Sequence, residues 1–168
     1  MISERMANEI NKQINAELFS SYLYLSMSAW CDNAGYRGFS SWMRVQAEEE
    51  YAHAMKFYDY MLDVGGKIEL EKIDKPQTDW ASPYELFEAV KEHELYVTKL
   101  INDLVAVAIE EKDYATNIFL QWFVTEQIEE VATASEIIDK FKMIGKNKES
   151  FYFLDKELGE RGAASKAE

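Results

Sequence analysis

Cysteine, proline, histidine and basic residues are all scarce in this sequence. The 168 residues include one Cys, two Pro and two His, and 18 Lys and Arg stand against 31 Asp and Glu, for a formal net charge of −13. The single cysteine, Cys31, excludes a disulfide framework within the chain and fits a reducing compartment. The acidic balance argues against nucleic acid or an anionic membrane as a partner, because both require a basic surface, and favours cations.

Long apolar runs are missing as well. The longest such stretch, residues 18–30, is interrupted by four serines. It is too short and too polar to cross a membrane, which takes about 20 apolar residues. Residues 1–5 do not open the apolar core of a signal peptide. We therefore expect a cytoplasmic protein.

The residues that are abundant favour a helical globular domain. Hydrophobic residues make up 48% of the chain, and only seven glycines interrupt it. At this length one domain with a sizeable core is expected, which we place at residues 1–160, followed by a flexible C-terminal tail at 161–168.

Apolar residues recur in steps of three and four over four long segments, which predicts four helices. Ser3, Ser82 and Asp113 are suited to be N-caps, and glycines follow the first, second and fourth segments. The predicted helices span about residues 4–32, 38–64, 83–112 and 114–144, with a short fifth helix at 147–158.

A long link at residues 67–81 separates the second and third helices. Fully extended at about 3.3 Å per residue, it can reach the length of a helix, so the third helix can start at the opposite end and run parallel to the second. The sequence therefore predicts an all-α four-helix bundle with a long crossover between helices 2 and 3 and a short fifth helix.

Polar residues interrupt the apolar seam of each long helix near its middle. In a bundle they fall at one level, whichever way the helices run. Four of them are carboxylates, and burying these without partners costs several kcal/mol each, whereas two divalent cations would balance their charge. Carboxylates with one imidazole suit iron or manganese better than structural zinc. The residues are Glu17, Glu50, His53, Glu94, Gln127 and Glu130.

Each residue also has a structural interpretation. The acidic run at residues 48–50 is typical of a solvated helix face, and a lone His53 is typical of a hydrogen-bonded core histidine. The position of Glu50 on the apolar seam, one turn before His53, favours metal ligation for both.

The sequence also carries a family resemblance. In ferritin-like di-iron proteins, two helices each give one Glu and two give Glu-x-x-His. Glu17 and Glu94 match the single acids and Glu50/His53 matches one motif, while the fourth helix departs with Gln127 and Glu130. Over nearly its whole length the chain resembles prokaryotic non-haem ferritins. The supporting runs are residues 13–17, 22–27, 48–54, 96–99 and 119–127.

The resemblance implies an asymmetric ferroxidase centre. A first iron would be held by Glu17, Glu50 and His53, and a second by Glu94 and Glu130, with Glu50 bridging and Gln127 as a polar neighbour. No haem is expected, because Ala52 stands where haem-binding relatives have an axial methionine. The residues matching a third iron site are Glu49, Glu126, Glu129 and Glu130, and the candidate electron donors are Tyr24 and Trp122.

The function implied by the resemblance is iron storage, in which Fe²⁺ is oxidised by O₂ and kept as ferric oxyhydroxide inside a homo-oligomeric shell of twenty-four subunits. Two other classes compete. A di-iron oxygenase or peroxidase-like enzyme should show two Glu-x-x-His motifs and often a Cys pair, but this chain has one motif and one Cys. A DNA-shielding or structural cage should carry a basic tail, but the chain ends in Lys166-Ala167-Glu168.

Overall fold

The computed structural model describes residues 2–165, with side chains up to Arg161, and they form five helices. Each predicted helix is present, and the four long ones begin and end within two residues of their predicted limits. No described helix is long and apolar enough to pass through a lipid bilayer. The helices are α1 (Glu4–Asn33), α2 (Arg37–Asp63), α3 (Pro83–Glu110), α4 (Tyr114–Ile144) and α5 (Lys148–Ser165).

The predicted helix caps are confirmed. Ser3 Oγ accepts a hydrogen bond from the Met6 amide at 3.0 Å, and Ser82 Oγ accepts one from the Glu85 amide at 3.2 Å. Asp113 accepts from the amide of Thr116 at 3.0 Å. These side chains satisfy amides that have no partner within the first turn of a helix, and so fix where α1, α3 and α4 begin.

Hydrogen bonds from α1 hold the crossover between α2 and α3 at several points along that helix. The Asn11 side chain donates to the Lys67 carbonyl at 2.9 Å and accepts from the Glu69 amide at 3.0 Å. Near the other end of α1, Ser26 Oγ donates to the Gln77 carbonyl at 2.6 Å. The extended segment therefore travels in the direction of α1 and delivers the chain to its C-terminal end.

Contacts at the opposite end fix the direction of α3. Ser3 Oγ donates to the carboxylate of Glu111, and Arg5 forms an ion pair with Glu110 at 2.9 Å. The start of α1 thus lies beside the end of α3, so these helices are antiparallel. Because the three-residue turn between α1 and α2 makes that pair antiparallel too, α3 runs parallel to α2 as predicted.

The core consists of two apolar clusters with a polar layer between them. One cluster contains Tyr24, Phe39, Phe87 and Phe141, and the other contains Ile10, Phe57, Ile101 and Phe123 among further residues. On every long helix, members of the two clusters lie on either side of a buried polar position. The residues at these positions are Glu17 on α1, Glu50 and His53 on α2, Glu94 on α3, and Gln127 and Glu130 on α4.

Helix α5 packs against the start of α2 through two glycines. A Cβ on Gly38 would lie 1.6 Å from the Asp155 carbonyl oxygen, and a Cβ on Gly159 would lie 3.0 Å from the Gly38 Cα. The Asp155 carboxylate accepts hydrogen bonds from the amides of Gly38 and Phe39 at 3.1 and 2.9 Å. Asp155 therefore caps α2 from a distant part of the chain.

The prediction that the fifth helix ends at residue 158, just before Gly159, is wrong. The glycine lies inside α5, where its lack of a side chain permits contact with Gly38, and the helix continues to Ser165. Of the predicted flexible tail, residues 161–165 are helical and residues 166–168 lie outside the described part of the chain. The domain limits stay a prediction.

Replacing Gly38 by Ala should destabilise the protein by about 1–3 kcal/mol or more, because the added methyl group overlaps the backbone of α5. Unfolding in urea measures the loss, and limited proteolysis near residue 160 reports whether α5 has separated. Arg37→Ala, a change at the exposed neighbouring position, should have little effect. Equal stabilities for the two variants would contradict the close packing of α5 on α2.

Candidate metal centre

The six polar residues of the central layer come from four helices and are all buried. Their exposed fractions range from 1% for Glu17 and Glu94 to 9% for Glu130. Because each lies on the inward face of its helix, helix packing itself places them together. The structure thus confirms that the seam-breaking residues share one level of the bundle.

Glu17, Glu50 and His53 form the tightest group of this layer. One ligand atom from each lies within 4.8 Å of the others, and this is the only such group of three found among the described residues. His53 Nδ1 lies 3.5 Å from Glu50 Oε2. Two carboxylate oxygens and one imidazole nitrogen at these separations can converge on a single divalent ion.

Glu17 has an oxygen with no hydrogen-bond partner. Its Oε1 accepts from Gln13 Nε2 at 2.8 Å, whereas its Oε2 is buried and unpaired. An unsatisfied buried carboxylate oxygen is costly in a protein core. A metal ion bound beside Glu50 and His53 would satisfy it.

The predicted ligands of a second ion lie in the same layer, but their oxygens are engaged with hydrogen-bond donors. The Tyr24 hydroxyl donates to Glu94 Oε1, and Gln127 Nε2 donates to Glu94 Oε2 at 3.2 Å. Gln46 Nε2 donates to Glu130 Oε2 at 2.8 Å and to Glu50 Oε1 at 3.3 Å. Both Glu94 oxygens and one Glu130 oxygen at the second position therefore already accept hydrogen bonds, whereas Glu17 Oε2 at the first position accepts none.

Burial dominates the electrostatics of these carboxylates. Desolvation raises the pKa of Glu17, and the nearby Glu50 charge raises it further. The pKa of Glu50 is likewise raised by burial and then by Glu94 and Glu130. The pKa of Glu94 is raised by burial, and that of Glu130 is raised to about 7 by burial and the Glu94 charge. A bound cation would reverse these shifts by favouring the ionised forms.

The remaining residues predicted for a third iron site lie at the edge of the layer. Glu49 forms an ion pair with Arg161 of α5, and Glu126 Oε1 lies 4.0 Å from His53 Nε2. Glu129 is exposed on α4, while Glu130 is buried. Among the described residues these four acids do not form a converging group as Glu17, Glu50 and His53 do, so the third site stays a prediction.

Aromatic residues surround the centre. The Trp122 ring lies 5.3 Å from the His53 ring, and Lys56 Nζ lies 3.4 Å from the Trp122 ring centroid. Tyr24 is fully buried, and burial followed by the Glu94 charge raises its pKa well above the usual value. Both predicted electron donors therefore lie beside the candidate ligands, and Tyr24 is kept as the neutral phenol.

Three residues that contact the centre were missed by the sequence reasoning. Gln13 and Gln46 each stand one turn before a candidate ligand, at i−4 from Glu17 and Glu50, so a search for amides at that spacing would have found them. Arg161 approaches from α5, and no local sequence pattern predicts that contact.

Comparison with known proteins decides the family. A family profile described as a ferritin-like domain matches residues 7–144. The chain belongs to the ferritin family. It is 48% identical over 161 residues to a bacterial non-heme ferritin of Bacteroides fragilis (strain YCH46), covering 96% of this chain and 100% of the relative. It is 40% identical over 158 residues to that of Escherichia coli O157:H7, covering 94% and 96%.

Solved ferritin structures agree with the fold of this family member. An open pore ferritin from the hyperthermophilic archaeon Archaeoglobus fulgidus superposes with a TM-score of 0.94 at 51% identity, covering 95% of this chain and 98% of that one. The predicted ferritin-like four-helix bundle is therefore confirmed. The family stores iron, and the group of Glu17, Glu50 and His53 supplies a candidate metal site in this ferritin.

The free energy of unfolding of the metal-free protein should fall as pH rises from about 4.5 to about 7. Over this range Glu130 stays protonated in the fold while it ionises in the unfolded chain, so the folded state binds more protons and loses stability with rising pH. A shift of this size corresponds to at most about 3 kcal/mol.

Urea unfolding at several pH values and fixed protein concentration tests this slope. Glu130→Gln should make the slope shallower, because an amide does not titrate, although Glu17, Glu50 and Glu94 still contribute to it. Glu129→Gln at the exposed neighbouring position should leave the slope unchanged. Identical slopes for all three proteins would contradict the raised pKa of Glu130.

Proposed function

We propose that this chain is a ferroxidase and iron-storage subunit, which oxidises Fe²⁺ with O₂ at the central layer and keeps the product as ferric oxyhydroxide within a shell of twenty-four copies. The observation that carries the proposal is the buried convergence of Glu17, Glu50 and His53 within 4.8 Å. The relatives named as non-heme ferritins, matched over almost their full length, support storage over an oxygenase acting on an organic substrate.

In this proposal the central residues bind two ferrous ions as substrate. Glu17, Glu50 and His53 take the first, and Glu94 and Glu130 take the second, with Glu50 shared. Gln127 stays a polar neighbour, since its amide donates to Glu94 and the Thr98 hydroxyl. A metal ion at the second position has to replace hydrogen bonds that Tyr24, Gln46 and Gln127 donate to Glu94 and Glu130. The second position should therefore bind metal more weakly than the first, where Glu17 Oε2 has no hydrogen-bond partner to lose.

Oxidation follows from the charge of the layer. Each ferrous ion gives up one electron to the same O₂, which reaches the oxidation level of hydrogen peroxide with two protons taken up. Four carboxylates stabilise Fe³⁺ more than Fe²⁺, because the attraction grows with the charge of the ion. Tyr24 and Trp122 lie close enough to supply further electrons.

The product leaves through the acidic edge of the layer in this proposal. Glu49, Glu126, Glu129 and Glu130 form a third iron site between the centre and the interior of the shell.

Many exposed apolar side chains on α1 and α4, including Tyr22, Leu25 and Ile118, support burial between subunits. The cytoplasmic location, the absence of haem and the absence of a nucleic-acid partner stay predictions.

Glu50→Ala and His53→Ala should each slow aerobic Fe²⁺ oxidation by at least about 100-fold while leaving the fold intact or more stable. Removing a ligand is expected to exceed the 10–100-fold loss typical of outer partners, and each change removes a costly polar group from the core. Stopped-flow absorbance of ferric product measures the rate, and circular dichroism with thermal unfolding measures the fold.

Glu48→Ala is the matched control, since Glu48 is exposed and adjacent to the same helix turn. It should keep the wild-type oxidation rate. If Glu50→Ala or His53→Ala oxidised Fe²⁺ as fast as Glu48→Ala, the proposed ligand roles would be wrong.

Storage is tested separately from oxidation. Purified metal-free protein given several hundred Fe²⁺ per shell in air should hold the iron as soluble ferric mineral that co-elutes with the protein. Native mass spectrometry should count twenty-four copies in the particle. Rapid oxidation with iron precipitating outside the protein would support a ferroxidase and exclude storage.

A further inference from the structure

Arg161 makes a specific contact at the edge of the metal centre. Its guanidinium donates to the Glu49 carboxylate and, at 3.0 Å, to Gln46 Oε1. The same group lies over the Trp42 ring, with Cζ 4.9 Å from the ring centroid. A planar cation that stacks on an indole and forms two directed hydrogen bonds is held in one geometry.

The fold brings Arg161 to this position. Asp155 caps α2, and the contact between Gly38 and Gly159 lets α5 lie close against that helix. Arg161 follows Asp155 by less than two helical turns, so it reaches α2 further along, at Gln46 and Glu49. The seating of α5 therefore determines where the positive charge lies.

Gln46 links this charge to the buried acids. An arginine only donates hydrogen bonds, so Arg161 turns the Gln46 carbonyl oxygen toward itself and the amide nitrogen toward Glu50 and Glu130. The Arg161 charge also lowers the pKa of Glu130, against the larger effects of burial and Glu94. Arg161 thus acts on two of the four acids assigned to the third iron site, directly on Glu49 and through Gln46 on Glu130.

We propose that Arg161 and a third metal ion are alternative partners of Glu49, so that Arg161 limits occupancy of the third site. The proposal rests on the proposed function, in which the third ion is iron on its way to the mineral. While the guanidinium holds Glu49, that carboxylate is neutralised and turned toward α5. An ion binds there only when Arg161 withdraws, so Arg161 is a positioning residue that favours two bound metals over three.

Isothermal titration of the assembled, metal-free protein with Zn²⁺, which has no redox chemistry, tests this competition directly. In Arg161→Ala the weakest class of site should bind Zn²⁺ at least tenfold more tightly than in wild type. Lys156→Ala is the matched control, because it removes the same charge from an exposed position on α5. It should bind Zn²⁺ as wild type does.

The gain in Zn²⁺ affinity caused by Arg161→Ala should also depend on Glu49. In a Glu49→Gln background, adding Arg161→Ala should leave Zn²⁺ binding unchanged, because the carboxylate released by Arg161 is absent. Size-exclusion chromatography confirms assembly of each variant, and Arg161→Gln serves for the same comparison if Arg161→Ala does not assemble. Equal Zn²⁺ binding by Arg161→Ala and Lys156→Ala, or a gain that persists without Glu49, would overturn the proposal.

The same titrations also measure, independently of Arg161, Zn²⁺ binding at the site formed by Glu17, Glu50 and His53. His53→Ala should lose one tightly bound Zn²⁺ per subunit, whatever residue stands at position 161. If wild type lacked that site, the proposed function would fail, whereas an absent difference between Arg161→Ala and Lys156→Ala would refute only the role of Arg161.

Discussion

The structure depends on the cost of burying carboxylates. Glu17, Glu50 and Glu94 are almost completely removed from water in a layer between two apolar clusters, and burial raises the pKa of each. In the metal-free protein this charge is moderated by protonation and by donated hydrogen bonds from glutamine and tyrosine side chains. Divalent cations balance the same charge more strongly. The buried carboxylates therefore lower the stability of the metal-free protein and, for the same reason, give it affinity for metal.

The bundle and the centre were predictable because both follow from helical phase. A polar residue on an apolar seam has to enter the core, and a position near the middle of each helix brings such residues to one level. Ser82 and Asp113 mark helix starts through hydrogen bonds within a single turn, so sequence alone locates them. Local rules therefore suffice for the helices and for the convergence of Glu17, Glu50 and His53, and the length of the link suffices for the crossover.

The contacts that the sequence did not reveal are all long-range. Glycine often ends a helix, but Gly159 lies within α5, where its lack of a side chain lets the helix contact Gly38, more than a hundred residues away in sequence. Arg161 lies in what reads as a polar tail, and its partner Glu49 reads as part of a solvated acidic run. Whether Glu94 faces an ion or the Tyr24 hydroxyl is likewise set by packing among different helices, which periodicity does not describe.

The division of the core by its polar layer has a thermodynamic consequence. Ile10 and Phe57 pack in one apolar cluster, while Phe39 and Phe87 pack in the other, and the two share no members. The losses in free energy of unfolding caused by side-chain truncations in separate clusters should add, whereas two truncations within one cluster should show a coupling energy of about 0.5–3 kcal/mol. Evolution can then vary one half of the hydrophobic interior without repacking the other, provided that the charged layer between them keeps its geometry.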